Sequence, residues 1–356
     1  ASRARHSTGV VTFGETLLLV SACASAVAND VALDEASRMQ IRVQTPLYMQ
    51  MAIDGFVPKV DVVSAQEAAR LLRDIDDFAA TQPGGVLTGD ARFKLNLLLP
   101  SVSKVVKSER LLRAVREALG TNDVLCWSTD LNAKLARSRT HASPHQDSTY
   151  ANLVPADGAL TAWLALSDAL VDSGCLVMSR GSHLRGQLRH STHTHARADA
   201  STESGEIDAE IDSDTLSAQD APEHGCHADN LLAFAQVASG FEQTPADGVA
   251  LPLKAGQASL HSFRTVHWSG PNLSVNRRVG LAIRYVAATT RRNERQVSVR
   301  ETATIACGSY DPSHGAFDVE PEPKLACGAS ERAVHADAMA RERANYFAFQ
   351  TQSGYK

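Results

Sequence analysis

His145 and Asp147 stand one residue apart in PHQDSTY (144–150), His267 follows in VHWSGPN (266–272), and Arg278 comes eleven residues later in NRRVGLAIRY (276–285). Two imidazoles and one carboxylate that converge on one face of a metal leave its other positions open, the arrangement of facial-triad iron sites. In an extended chain residues i and i+2 share a face, so His145 and Asp147 can hold one ion while Gln146 points away. Pro144 favours extended backbone just before them. Nitrogen and oxygen donors with no cysteine nearby suit Fe(II), Mn(II), Co(II) or Zn(II). An isolated H-x-D also arises by chance as a polar turn before a strand, so the surrounding elements must carry the argument.

Residues 261–286 read as strand, turn, strand. Ser269, Gly270, Pro271 and Asn272 supply the turn. Val279, Leu281, Ile283 and Tyr285 then alternate as a half-buried strand does. Arg278 falls on the opposite face with Gly280, Ala282 and Arg284, where small neighbours leave room for a cofactor. A guanidinium there can grip a dicarboxylate by two parallel hydrogen bonds. Arg277 reads as a solvated charge.

Helices come first. Ser64-x-x-Glu67 is a capping box, and Ala68, Leu71, Leu72, Ile75 and Phe78 follow at helical spacing. A second helix spans 108–119, with Ser108 as N-cap and Gly120 closing it. Short strands follow near 123–129, 131–137, 159–166, 174–178, 248–253, 257–263 and 278–287. Many short strands with Gly, Pro and Asn turns predict a mainly β sandwich or barrel with flanking helices. Strong helix formers in 331–349 predict a C-terminal helix.

Four blocks in order resemble the phytanoyl-CoA dioxygenase family of Fe(II)/2-oxoglutarate oxygenases across roughly residues 52–290: HQD at 145–147, LTAWLALSDA at 160–169, GCLVMSRGSH at 174–183 and HWSGPNLSVNRR at 267–278. The resemblance implies a double-stranded β-helix, the cupin-like jelly roll. It implies that His145, Asp147 and His267 hold iron, and that Arg278 and Ser269 take the distal carboxylate of 2-oxoglutarate. Asn132 and Trp163 fall where relatives contact that cosubstrate, and O2 is the second cosubstrate. The implied reaction hydroxylates an unactivated C–H bond and forms succinate and CO2. Halogenating relatives carry Ala or Gly in place of the carboxylate, and this chain keeps Asp147. Gln146, Ser148, Thr149, Tyr150 and Arg264 adjoin the metal motifs and suit a small polar or anionic metabolite as substrate. The alternatives are a non-catalytic metal-binding or sensor paralogue, and a cupin-like isomerase or zinc hydrolase that would not need Arg278.

The chain of 356 residues carries a formal charge of −5, which argues against a nucleic-acid backbone as partner. No run of about 18 uncharged apolar residues predicts a membrane span. None of the six cysteines forms C-x-x-C, so no structural zinc motif is present. Cys126 and Cys175 read as buried thiols, and for Cys307 and Cys327, in the similar settings IACG and LACG, the sequence leaves a disulfide open but disfavoured. An oligomer is not predicted.

The domain reading places an extension at 1–45, the oxygenase domain at 46–330 and the C-terminal helix at 331–356. Residues 10–28 look somewhat like a targeting segment, so an organelle competes with the favoured cytoplasm. The acidic stretch 196–230 reads as a surface loop or an active-site lid. His183, His190, His193 and His195 cluster in sequence but read as loop residues, not as a second metal site.

Overall fold

The computed structural model describes residues 45–151, 153–192, 229–232, 236–241, 248–292, 299–313 and 315–352. The expected extension up to residue 44, nearly all of the acidic segment, Cys23, Cys226, His193 and His195 lie outside the described residues.

The capping box forms as its spacing predicts. The Glu67 N–H donates to the Ser64 hydroxyl (3.2 Å), and the Ser64 N–H donates to the Glu67 carboxylate (2.8 Å). The helix runs Ala65–Ala80 and buries Ala68, Leu71, Ile75 and Phe78. The second helix, Glu109–Leu119, ends at Gly120 in the left-handed region, while Ser108 caps it without a side-chain bond. These helices, with the short helix Pro100–Val106, pack their apolar sides on one face of a large sheet. Each fully buried Leu or Ile there contributes roughly 1.5–3 kcal/mol.

The larger sheet holds seven strands: β1 (Phe56–Asp61), β2 (Val124–Lys134), β5 (Ala159–Ala165), β10 (Gln257–Ser262), β12 (Arg278–Ala287), β14 (Glu301–Cys307) and β15 (Phe317–Val319). Their spatial order is β1-β10-β5-β12-β2-β14-β15. The smaller sheet orders β3 (Ala142–His145), β11 (His267–Ser269), β6 (Leu176–Met178) and β9 (Val249–Leu251). Two short ladders complete it, β4 (Leu153–Val154) with β13 (Arg291–Arg292), and β7 (His190–Thr192) with β8 (Gln236–Ala238). This is the jelly roll, with helices on the outer face of the large sheet and a cleft between the sheets.

Period-2 alternation sorts the residues of the large sheet. Val279, Leu281, Ile283 and Tyr285 of β12 join Leu160, Ala162 and Leu164 of β5 under the helices. Arg278, Ala282 and Arg284 face the cleft. The two strands expected at 123–129 and 131–137 are one continuous β2. Its register against β12 skips Trp127, so Arg284 pairs with Ser128 and Tyr285 with Cys126. A bulge of this kind bends the strand and reverses which side chains face inward. After it, Asp130 and Asn132 point into the cleft.

The C-terminal helix spans Ala329–Gln352. Its Asn345 amide donates to Val299 O and to Glu301, and its His335 is tied to Phe93 O, so the helix is docked on the domain. Cys126, Cys175, Cys307 and Cys327 are free thiols. Among the described residues no helix is long and apolar enough to cross a membrane.

Candidate active site

His145 ends β3 and His267 begins β11, and the two are direct partners across the antiparallel ladder. Their rings stand 4.2 Å apart, tilted by 49°. Asp147 follows β3 directly, and the ligand atoms of His145, Asp147 and His267 all lie within 4.8 Å of one another. Each imidazole is aimed by its own strand: His145 Nδ1 lies 2.8 Å from Ser143 O and His267 Nδ1 lies 3.0 Å from Thr265 O. A proton on Nδ1 satisfies each carbonyl and leaves Nε2 as the donor to a metal. On the other side, the Thr161 hydroxyl donates to Asp147 Oδ2 (2.6 Å), and His261 Nε2 lies 3.4 Å from the same oxygen.

Charge states match a divalent ion. Burial pushes His145 and His267 below the ordinary histidine value, so both rings are neutral near pH 7. Burial acts upward on the Asp147 carboxyl, but the opposing effects of His261, His267 and Arg284 outweigh it and hold the group well below its ordinary value. Two neutral imidazoles and a carboxylate, with their outer atoms already hydrogen-bonded, fit Fe(II).

Arg278 opens β12 at the end of the same cleft and is 1% exposed. It stacks on Trp163 of β5 (5.0 Å) and donates to Gly174 O (2.9 Å) and, more weakly, to Asn132 O (3.4 Å). Its Nε has no partner, and among the described residues no Asp or Glu forms an ion pair with it. A buried guanidinium left this way fits an incoming carboxylate. Trp163 is held by its own Nε1–H, which donates to Asn132 Oδ1 (3.2 Å). The sequence-based expectation that Gly280 leaves room for a cofactor is corrected here. A Cβ at Gly280 would come within 1.9 Å of the Trp163 ring, so the indole already fills that gap.

Asn132, Trp163, Ser269 and Arg278 therefore line one cleft with the three metal-facing residues. The expected substrate residues do not. Gln146 is fully buried: its amide donates to Gly186 O and Arg264 O, and its Oε1 accepts from Leu188 N–H. Thr149 is spent on His190 and Gln187. Ser148 and Arg264 also lie outside the cleft lining, and the Tyr150 side chain lies outside the described residues. The i+1 and i+4 positions simply turn away from the face that His145 and Asp147 share.

Other residues take the substrate side. The cleft is also lined by Arg92, Asp130, His261, Arg284, Leu231 and Leu232. Arg92 forms a fork on Asp130 (2.8 and 3.1 Å), and Arg284 stands 3.7 Å from the same carboxylate. Two guanidinium groups thus converge on one carboxylate at this wall. Some of these had a sequence signal: Thr161 lies two residues before Trp163 on the same face, and His261 sits in the block that contains His267. Arg92, from the short 3-10 helix Gly89–Arg92, and Leu231 and Leu232, from a distant loop, had none.

His183 is tied to Ala52 O and His190 to Gln146 N–H, and neither joins the triad. Among the described residues His145, Asp147 and His267 form the one cluster of metal-type ligands.

A jelly roll holding two histidines and an aspartate beside a buried arginine defines a non-heme oxygenase site. The phytanoyl-CoA dioxygenase (PhyH) family matches residues 51–280, and the chain belongs to that family. Its His145–Asp147–His267 cluster suits the metal site of such a dioxygenase. The chain is 45% identical over 47 residues to phytanoyl-CoA dioxygenase domain-containing protein 1 of Mus musculus, covering 13% of this chain and 16% of the relative. It is 27% identical over 142 residues to the Dictyostelium discoideum homolog, covering 40% and 39%. The matches thus span less than half of those relatives. A solved structure described as the non-heme monooxygenase ThoJ superposes with a TM-score of 0.65 at 26% identity, covering 86% of this chain and 100% of that one. The α-ketoglutarate-dependent epimerase SnoN shares the fold, with a TM-score of 0.50 at 20% identity over 81% and 97%.

Proposed function

We propose that this chain hydroxylates an unactivated C–H bond of a small anionic metabolite, consuming 2-oxoglutarate and O2 and releasing succinate and CO2. The observation that carries the reading is the buried Arg278, without a carboxylate partner among the described residues, in the same cleft as the His145–Asp147–His267 triad. When bound, ferrous iron and 2-oxoglutarate would activate O2, the oxidant that breaks the C–H bond, while the cosubstrate gives up CO2 to become succinate.

The residues provide placement. Thr161 and the two Nδ1 contacts fix the ligand side chains before metal arrives, so little reordering is needed. Arg278 and Ser269 hold the distal carboxylate, with Asn132 locking Trp163 against the guanidinium and excluding water. Arg278 and Arg284 are six residues apart on β12, about 20 Å at roughly 3.3 Å per residue. With Arg278 given to the cosubstrate, Arg92 and Arg284 further along the cleft would orient an anionic substrate.

The test is anaerobic addition of Fe(II) and then 2-oxoglutarate, following the weak visible charge-transfer band. The band should form, and should vanish in Arg278→Ala at the same cosubstrate concentration. Iron binding without a band would overturn the cosubstrate reading. Under 18O2, label in the product supports hydroxylation, and an unlabelled, stereochemically altered product would point to epimerisation. No succinate under any condition would leave a metal-binding protein without turnover.

A further inference from the structure

Lys134 is the last residue of β2, and its Cα partner on β12 is Arg278. The side chain is completely buried. Its Nζ donates to Ser269 Oγ (2.7 Å), to Gly270 O and, at the limit, to Gly174 O (3.5 Å). Three acceptors around one nitrogen suit the ammonium form, with three hydrogens and no lone pair, which a nearby anion would favour. Gly174 makes this cradle: its φ is +72°, and a Cβ there would meet Gly270 O at 2.3 Å and Lys134 Nζ at 3.1 Å. The groups facing Lys134 are Arg278 from β12, Cys175 beside Gly174, and Ser269 with Gly270 from β11. Among the described residues no carboxylate pairs with Lys134 or Arg278. A buried amine beside a buried guanidinium, with no anion between them, is an arrangement that an incoming anion stabilises.

We propose that Lys134 is the second cation of the 2-oxoglutarate carboxylate pocket and a positioning residue that acts through Ser269. Ser269 accepts from Lys134 and lines the cleft, so its own hydroxyl hydrogen is kept for the distal carboxylate. The inference rests on the 2-oxoglutarate reading of this cleft. Burial, and then the charge of Arg278, pull the Lys134 amine down to about 6. The amine is therefore largely neutral at pH 7.5 before the cosubstrate binds. An incoming carboxylate raises it, and Lys134 takes a proton from solvent. Affinity is then greatest below pH 6, where the amine is already charged, and falls by up to about tenfold per pH unit above it.

Isothermal titration of 2-oxoglutarate into the oxygen-stable Ni(II)-loaded protein, in two buffers of different ionisation enthalpy at pH 7.5, reads both affinity and proton uptake. The wild type should take up close to one proton per cosubstrate. K134M should bind about tenfold or more weakly and take up none, and S269A should weaken binding while still taking up a proton. Binding by the wild type without proton uptake overturns the role of Lys134 and leaves the cosubstrate reading standing. Unchanged affinity and uptake in K134M do the same. No binding by the Ni(II)-loaded wild type sinks both. The wild-type proton count needs no variant, so misfolding of K134M cannot shelter the proposal.

Discussion

His190 Nε2 accepts the backbone N–H of Gln146 at 3.0 Å, and Gln146 is the residue between His145, which ends β3, and the metal-facing Asp147. The other ring nitrogen, Nδ1, lies 3.1 Å from Leu188 O, which fixes the neutral tautomer with its proton on Nδ1. A histidine that the sequence pattern assigns to a loop is thus a strut for the metal-facing strand.

That strut is pH-sensitive. Burial lowers His190 to about 4 from an ordinary value near 6.5. A depressed histidine contributes stability that is present above the unfolded value and lost as pH falls from about 6.5 through about 4. Thermal unfolding of the metal-free protein should therefore show a falling midpoint across this window. His190→Gln should flatten that part of the profile, and an unchanged slope would remove His190 as its cause.

Thr161→Val keeps the volume but deletes the hydrogen bond to Asp147 Oδ2. Loss of such an outer contact weakens metal binding by about 10–100-fold. Ni(II) or Fe(II) titration should show this with circular dichroism unchanged. Wild-type affinity would mean that His261, on the same oxygen, orients the carboxylate alone.

Arg278→Ala removes the guanidinium opposite the expected carboxylate. Truncating one partner of a buried charged contact costs about 2–5 kcal/mol, so the 2-oxoglutarate Kd should rise at least about thirtyfold. Metal affinity should stay within a factor of about two. Equal loss of both would point to a collapsed site instead of a missing clamp.

Gly280→Ala inserts a methyl group into the Trp163 ring. Overpacking of this kind costs about 1–3 kcal/mol. Because Trp163 must swing off Arg278, the variant should lose both thermal stability and cosubstrate affinity, with a shift in tryptophan emission. Retained emission and affinity would show that the sheet, not the indole, yields.

Arg284→Gln reduces the positive charge at the wall shared with Arg92 and Asp130. In a screen of small carboxylates, phosphates and neutral analogues, anions should be turned over preferentially. The variant should raise KM for them about tenfold while leaving the 2-oxoglutarate Kd unchanged. A change confined to the cosubstrate would reassign Arg284 to the clamp.

The amino-acid pattern alone determined which residues share a face. H-x-D spacing in an extended segment puts His145 and Asp147 together, and alternation from Arg278 to Tyr285 separates the cleft side of β12 from its core side. The capping box at Ser64 and the turn at 269–272 are equally local. These follow from period 2 in strands and period 3.6 in helices, which any short window contains. Tertiary structure decided what stands opposite each face. Lys134 meets Arg278 only because β2 pairs with β12 in a register that a bulge at Trp127 offsets. Trp163 occupies the space at Gly280 only because β5 lies on the other side of β12. Arg92, Leu231 and Leu232 reach the cleft from short segments whose path no periodicity encodes. Strand order and register are set by the burial of the whole sheet, a sum over distant residues, so the partners of a buried charge become visible only when the chain is folded.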